Sequence, residues 1–193
     1  MATGILKLEY HYRKVVAMNR NKKLLRNMVL IVLISLLFMN RTGLYINPIT
    51  AHESSERNLH YGPSEIVHVE DFDGGKYLLC KYDKWISCNV IERRLFILWS
   101  HGQSPFGREN DLTKKMDYSW GNRENNSFFW GIINDKSITK VELELKDGSK
   151  LTTTEFYDDL FLLTWKMVTR EIYGFKKISA YNSVGELVFE EEY

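Results

Sequence analysis

The sequence predicts a mainly β protein, sandwich-like or barrel-like, built of antiparallel sheets and preceded by one N-terminal transmembrane helix. Three observations predict it. An apolar run, RNMVLIVLISLLFMNR, stands between Arg26 and Arg41 with no polar face. After Pro63 the chain breaks into short segments rich in β-branched and aromatic residues, with turn residues every eight to twelve positions. No helix-period pattern of any length follows residue 63.

The N-terminal segment carries the address. Residues 1–26 hold seven Lys/Arg against one acid, Glu9, whereas from Thr42 onward acids outnumber bases by six; the net +1 of the 193-residue chain hides this asymmetry. The expected division is a basic cytoplasmic tail over 1–26, a membrane helix over 27–46, a juxtamembrane linker or short helix over 47–62 and an extracytoplasmic domain over 63–193. The apolar run is short for a bilayer, which takes about 20 helical residues. The flanking arginines can snorkel, and Leu24, Leu25, Leu44, Tyr45 and Ile46 lengthen it. Cations ahead of the run keep the tail in the cytoplasm and send the body across. The alternative is secretion after cleavage of a signal peptide, with Ala51 the candidate cleavage residue and Met18 an alternative start. The predicted partner of residues 27–46 is the lipid bilayer. A mildly acidic body argues against nucleic acid.

Within the body, EIVHVEDF sets Ile66, His68 and Glu70 on one strand face and Val67 and Val69 on the other. GKYLLCKY, WISCNVI and RLFILWS follow as further strands, separated by DFDGG and YDK. Ser104–Asn126 has little periodicity and reads as a long connection, a length often given over to function. KVELELKDGSKL alternates Val141, Leu143 and Leu145 with Glu142, Glu144 and Lys146, a strand with one wet face. Its Asp147–Ser149 loop is expected to set Leu145 opposite Leu151. DLFLLTW is apolar on both faces and reads as a central buried strand, and two last strands meet around Asn182–Gly185.

In the C-terminal third, Gly131, Asp147, Gly148, Phe161, Trp165, Ala180, Tyr181 and Gly185 follow one turn-and-strand grammar. That grammar resembles a β-sandwich-type module common in exported bacterial proteins. The whole layout, with HYGPSE and KYDKWISCN after the basic tail and apolar run, is similar to uncharacterised single-pass envelope proteins of Gram-positive bacteria. The resemblance implies fold and address and carries no chemistry.

Candidate sites are few. Cys80 and Cys88 are the only cysteines. A three-residue turn between their strands would bring them face to face, where a disulfide is permitted outside the cytoplasm, and a two-residue turn would put them on opposite faces as small buried hydrophobes. His68, Glu70 and Asp71 suit a solvated strand face better than a metal site, and DFDGG lacks the third acid and closing glutamate of a calcium loop. No metal ligand set or cofactor is expected. No nucleophile elbow, phosphate loop, paired-His helix or dinucleotide fingerprint is present. Phe128 and Trp130 read as core. Arg108, Tyr118, Trp120 and Arg123 on the long connection mix charge with large rings and are the expected ligand-binding residues. The function expected is a non-enzymatic module that binds a protein or cell-wall partner; the alternative is a cell-envelope hydrolase whose site has no recognisable motif.

Overall fold

The computed structural model describes the backbone of residues 2–102, 107–123, 125–166 and 174–193, with side chains from Arg20 onward except Asn40. Two compact units are present, Met1–Tyr45 and Ile46–Tyr193.

The first unit is one helix, α1 (Ala2–Thr42). It runs through the basic tail as well as the apolar stretch and stops earlier than the expected 27–46 span. Gly43, at φ 67°, supplies the left-handed residue, and the Leu44 N–H closes the end onto Met39 O at 3.0 Å. Leu30, Ile31, Val32, Leu33, Leu37 and Phe38 are all exposed. Among the described residues no helix is long and apolar enough to cross a membrane. The purely apolar part, Met28–Met39 bar Ser35, makes only about 18 Å of helix against about 30 Å of bilayer hydrocarbon.

The second unit opens with α2 (Pro48–Leu59) and continues, among the described residues, with twelve strands: β1 (Glu65–Phe72), β2 (Gly75–Tyr82), β3 (Trp85–Arg94), β4 (Leu98–His101), β5 (Arg108–Glu109), β6 (Met116–Arg123), β7 (Asn126–Ile133), β8 (Ile138–Leu145), β9 (Lys150–Thr153), β10 (Leu160–Lys166), β11 (Phe175–Asn182) and β12 (Leu187–Glu192). All pairings are antiparallel. The first sheet runs β1-β2-β3-β4 with β5 beside the far part of β3, the second β10-β7-β6, and the third β12-β11-β8-β9.

The three sheets stack in layers, and the second lies in the middle. Phe128, Trp130, Ile132, Leu160 and Leu162 on one of its faces meet Tyr77, Leu79, Ile86, Cys88 and Val90 of the first sheet. On its other face Met116, Phe129, Ile133, Phe161, Leu163 and Trp165 meet Val141, Leu143, Leu145, Phe175 and Ile178 of the third. This explains why DLFLLTW is apolar at successive positions: β10 is an edge strand by hydrogen bonding, yet it is buried above and below. The outer face of the third sheet is wet, and Glu142 takes Lys150 at 2.8 Å there.

The segment expected to be a linker or short helix is a helix, and it is packed. Asn47 caps it, its side chain accepting from Ile49 N–H at 2.8 Å, with Pro48 at the first helical position. Ala51, His52, Ser55 and Glu56 are buried against the outer face of the first sheet. The β8–β9 register also differs from expectation. Leu143 lies opposite Leu151 and Val141 opposite Thr153, because the chain reverses through Lys146–Gly148, one residue earlier, with Leu145 N–H bonded to Ser149 O at 2.8 Å. The shift keeps the leucines on the buried face, since it moves the pairing by two positions.

Candidate functional site

The segment read as a long connection is largely strand. Gln103–Phe106 and Glu124 lie outside the described residues, but Arg108–Glu109 pair with Trp85–Ile86, and Met116–Arg123 form β6 in a hairpin with β7. Met116, Tyr118 and Trp120 recur at the strand period of two, the signal that the polar residues between them obscured. Those polar residues are tolerated because β6 is the outer strand of its sheet.

A cleft of about 320 Å³ lies along this strand, lined by Arg108, Lys114, Asp117, Tyr118, Trp120 and Glu191 among others. Three of the four expected binding residues therefore come together: Arg108, Tyr118 and Trp120. The fourth, Arg123, does not join them. It pairs with Glu92, which also holds Arg94 at 2.5 Å.

Asp117 is buried and its carboxylate is fully engaged. Arg108 Nη2 reaches Oδ1 at 2.9 Å, and the N–H groups of Asp111 and Tyr118 each donate to it at 3.1 Å. Arg108 Nη1 also donates to Tyr118 O. Above this lies a chain of hydroxyls: Tyr193 OH and Tyr118 OH are 2.5 Å apart, and Tyr118 OH is 2.5 Å from Glu191 Oε2. Burial, followed by the bonds to Glu191 and Tyr193, raises the Tyr118 phenol far above its ordinary range, so it stays protonated and acts as a donor. Lys114 Nζ is only loosely held, 3.8 Å from Asp111 and 3.9 Å from Asp117. The Trp120 ring stands edge-on to Phe175 at 6.0 Å and is 51% exposed.

The backbone adds a second resource. Asn134 N–H bonds to Lys115 O at 2.9 Å just beyond the Met116–Ile133 pair, so odd-numbered residues of β6 bond to β7 and even-numbered ones point away. Tyr118 fits this parity, because its outward N–H and C=O are taken by Asp117 and Arg108. The outward groups of Trp120 and Asn122 face an edge that no strand covers among the described residues.

Cys80 and Cys88 form no disulfide; both are free and buried. The turn between their strands has two residues, Asp83 and Lys84, so Cys80 pairs with Ser87 and faces α2 while Cys88 pairs with Leu79 and faces the middle sheet. Burial pushes the Cys80 thiol up to about 12 and the Cys88 thiol well above its ordinary value. Cys80 sits in a polar network that sequence reasoning missed. Asn89 Nδ2 lies 2.9 Å from His52 Nδ1, and His52 Nε2 lies 3.9 Å from Cys80 Sγ and 3.4 Å from Glu56 Oε1. Glu56 also accepts from Ser64 N–H at 3.2 Å and from the Ser64 hydroxyl. HYGPSE therefore wraps back over the end of α2, and Gly62 is needed there: its φ is 90° and a Cβ would meet Glu56 Oε2 at 2.6 Å. A Cys/His/Asn set can drive thiol chemistry when the thiolate forms and substrate can reach it. Here Cys80, His52 and Asn89 are each at most 1% exposed, so the set joins α2 to the sheet. Among the described residues no group of His, Cys, Asp and Glu could hold a metal ion, and His68 stacks on Tyr157 with ring centroids 3.5 Å apart.

No protein family, curated protein or solved structure matches the chain.

Proposed function

We propose that this is a membrane-tethered binding protein whose extracytoplasmic β body captures an extended segment of a partner protein along the outer edge of β6. The observation that carries the reading is the cleft itself. It sets an exposed Trp120 ring beside outward-facing backbone groups of the same strand, with the loosely held Lys114 as a donor close by. Addition of a peptide strand to an open sheet edge draws affinity from main-chain hydrogen bonds and specificity from pockets for alternate side chains. A hydrolase reading is weaker, because Asp117 is committed to Arg108 and to two backbone amides.

The tether is the apolar stretch of α1. Its large apolar side chains are exposed, and Arg26 and Arg41 can reach the headgroups on either side. The basic tail favours a cytoplasmic N-terminus. Retention of the helix is favoured over cleavage at Ala51, since that residue is wholly buried in α2 and a cut there would remove the Asn47 cap. The likeness to Gram-positive envelope proteins points to the same address.

The test is capture of partners from membrane extracts by the full chain, followed by peptide arrays made from what is captured. Trp120→Ala is expected to abolish capture while leaving the fold intact. Methylating alternate backbone amides of the bound peptide is expected to abolish binding when those amides face β6. Binding that survives both changes would overturn the reading.

A further inference from the structure

The β3–β4 hairpin ends in a tip that runs against ordinary turn chemistry. Arg94 pairs with Leu98, and the reversal between them is made by Leu95, Phe96 and Ile97. Leu95 and Phe96 hold φ values of 43° and 49°. That left-handed region suits Gly, Asn or Asp and is strained for large side chains. The three side chains are also bare: Leu95 is 75% exposed, Phe96 96% and Ile97 68%. A soluble turn gains nothing from either property.

Acids and bases both surround the tip, and the bases are in excess. Asp71 is paired with Lys76, Asp73 with Lys166, and Glu92 with Arg94 and Arg123. Arg93 is exposed, lies over the Trp99 ring at 5.0 Å, and meets no carboxylate among the described residues. An apolar wedge with a cation left over beside it matches the boundary between acyl chains and anionic headgroups.

Position supports the same occupant. Within the body, α2 lies along the first sheet with its far end at the β2–β3 turn, where Tyr61 packs edge-on to Tyr82 at 5.6 Å. His52, nearer its start, bonds to Asn89 halfway along β3. The start of α2, where the chain joins the body at Ile46, therefore lies toward the tip end of β3. The β1–β2 turn is at that end too, with Arg93 N–H bonded to Gly74 O at 2.7 Å. The cleft residue Arg108 lies in strand β5, which pairs with the opposite end of β3, and Lys114 follows that strand.

We propose that Leu95, Phe96 and Ile97 insert into the interface of an anionic bilayer, with Arg93 on the headgroups, as a second membrane contact of the body. The inference rests on the membrane reading above, and it fixes which end of the body faces lipid and which end presents the cleft.

The experiment uses the full chain in vesicles of phosphatidylcholine and phosphatidylglycerol. An environment-sensitive dye is attached to Phe96→Cys or, as a control, to Leu112→Cys, an equally bare apolar site (78% exposed) beyond β5 at the other end. The native thiols are buried and do not compete for label at neutral pH. Dye at position 96 is expected to shift to the blue and to be quenched by nitroxide-bearing lipids, while dye at position 112 stays water-like. Arg93→Glu is expected to reduce the shift and its dependence on phosphatidylglycerol. Chains that float with the vesicles but give the same spectrum at both positions would overturn the tip proposal and leave the tether standing. Chains that do not float would overturn both. A shift that persists without lipid and grows with protein concentration would assign the tip to a second copy of the chain instead.

Discussion

Replacing Leu162 and Leu163 by alanine, one at a time, separates a three-layer stack from a two-layer sandwich. These residues are adjacent on β10 and point to opposite faces, Leu162 to the first sheet and Leu163 to the third. They are 7% and 6% exposed. Leu→Ala removes three carbon atoms, worth about 2.4 kcal/mol of transfer free energy at about 0.8 kcal/mol for each buried methylene. The cavity left behind adds to this, and the usual total is about 2–5 kcal/mol. Each single variant should therefore lose about 3 kcal/mol. The double variant should lose most of a stability that is about 5–15 kcal/mol for an ordinary domain. The assay is urea unfolding of the detergent-solubilised chain followed by tryptophan fluorescence, with the slope m unchanged in each single variant. In a two-layer sandwich one of the pair would face water and cost under about 0.5 kcal/mol. A result in which one substitution is costly and its neighbour silent would refute the middle layer.

In the third sheet the contrast should be the reverse. Leu143→Ala, at a wholly buried site, should cost about 2–5 kcal/mol, and Glu142→Ala, which releases surface lysines, under about 1 kcal/mol by the same unfolding assay. Burial lowers the His52 imidazole from its ordinary 6.5, against the pull of Glu56 and Glu53. The unfolded chain thus binds the proton first, and stability should be full above pH 6.5 and fall below it at up to about 1.4 kcal/mol per pH unit. A His52→Gln variant should flatten urea midpoints across that window. Cys80 and Cys88 should resist a thiol reagent at pH 8 in the folded state and both react in urea, because burial disfavours their thiolates. Arg108→Ala should cost about 1–3 kcal/mol in the same unfolding assay, since it leaves the buried Asp117 carboxylate short of a cation.

What the residues reveal in order along the chain is what local chemistry controls. The period-two runs Val141–Leu145 and Phe128–Trp130 mark strands and their buried faces, and Asp73-Gly74 and Asn182–Gly185 mark reversals, because turn geometry and side-chain alternation are properties of a few neighbouring residues. The run of four apolar residues in DLFLLTW announced burial on both sides. Only the stacking of three sheets says what lies on each side, since pairing between distant strands leaves no trace in spacing. The same limit explains the misses. The burial of α2 was hidden because Ser54, Ser55 and Glu56 look solvated until the first sheet and Ser64 supply their surroundings. The fate of the cysteines turned on one residue of turn length, which reverses a side chain's face. Arg108, Tyr118 and Trp120 were recognisable as large and charged, yet their convergence, and the departure of Arg123 to Glu92, came from the β6–β7 register and from the docking of Arg108 beside Ile86. Composition can nominate the residues of a cleft. Only long-range pairing determines which of them share one.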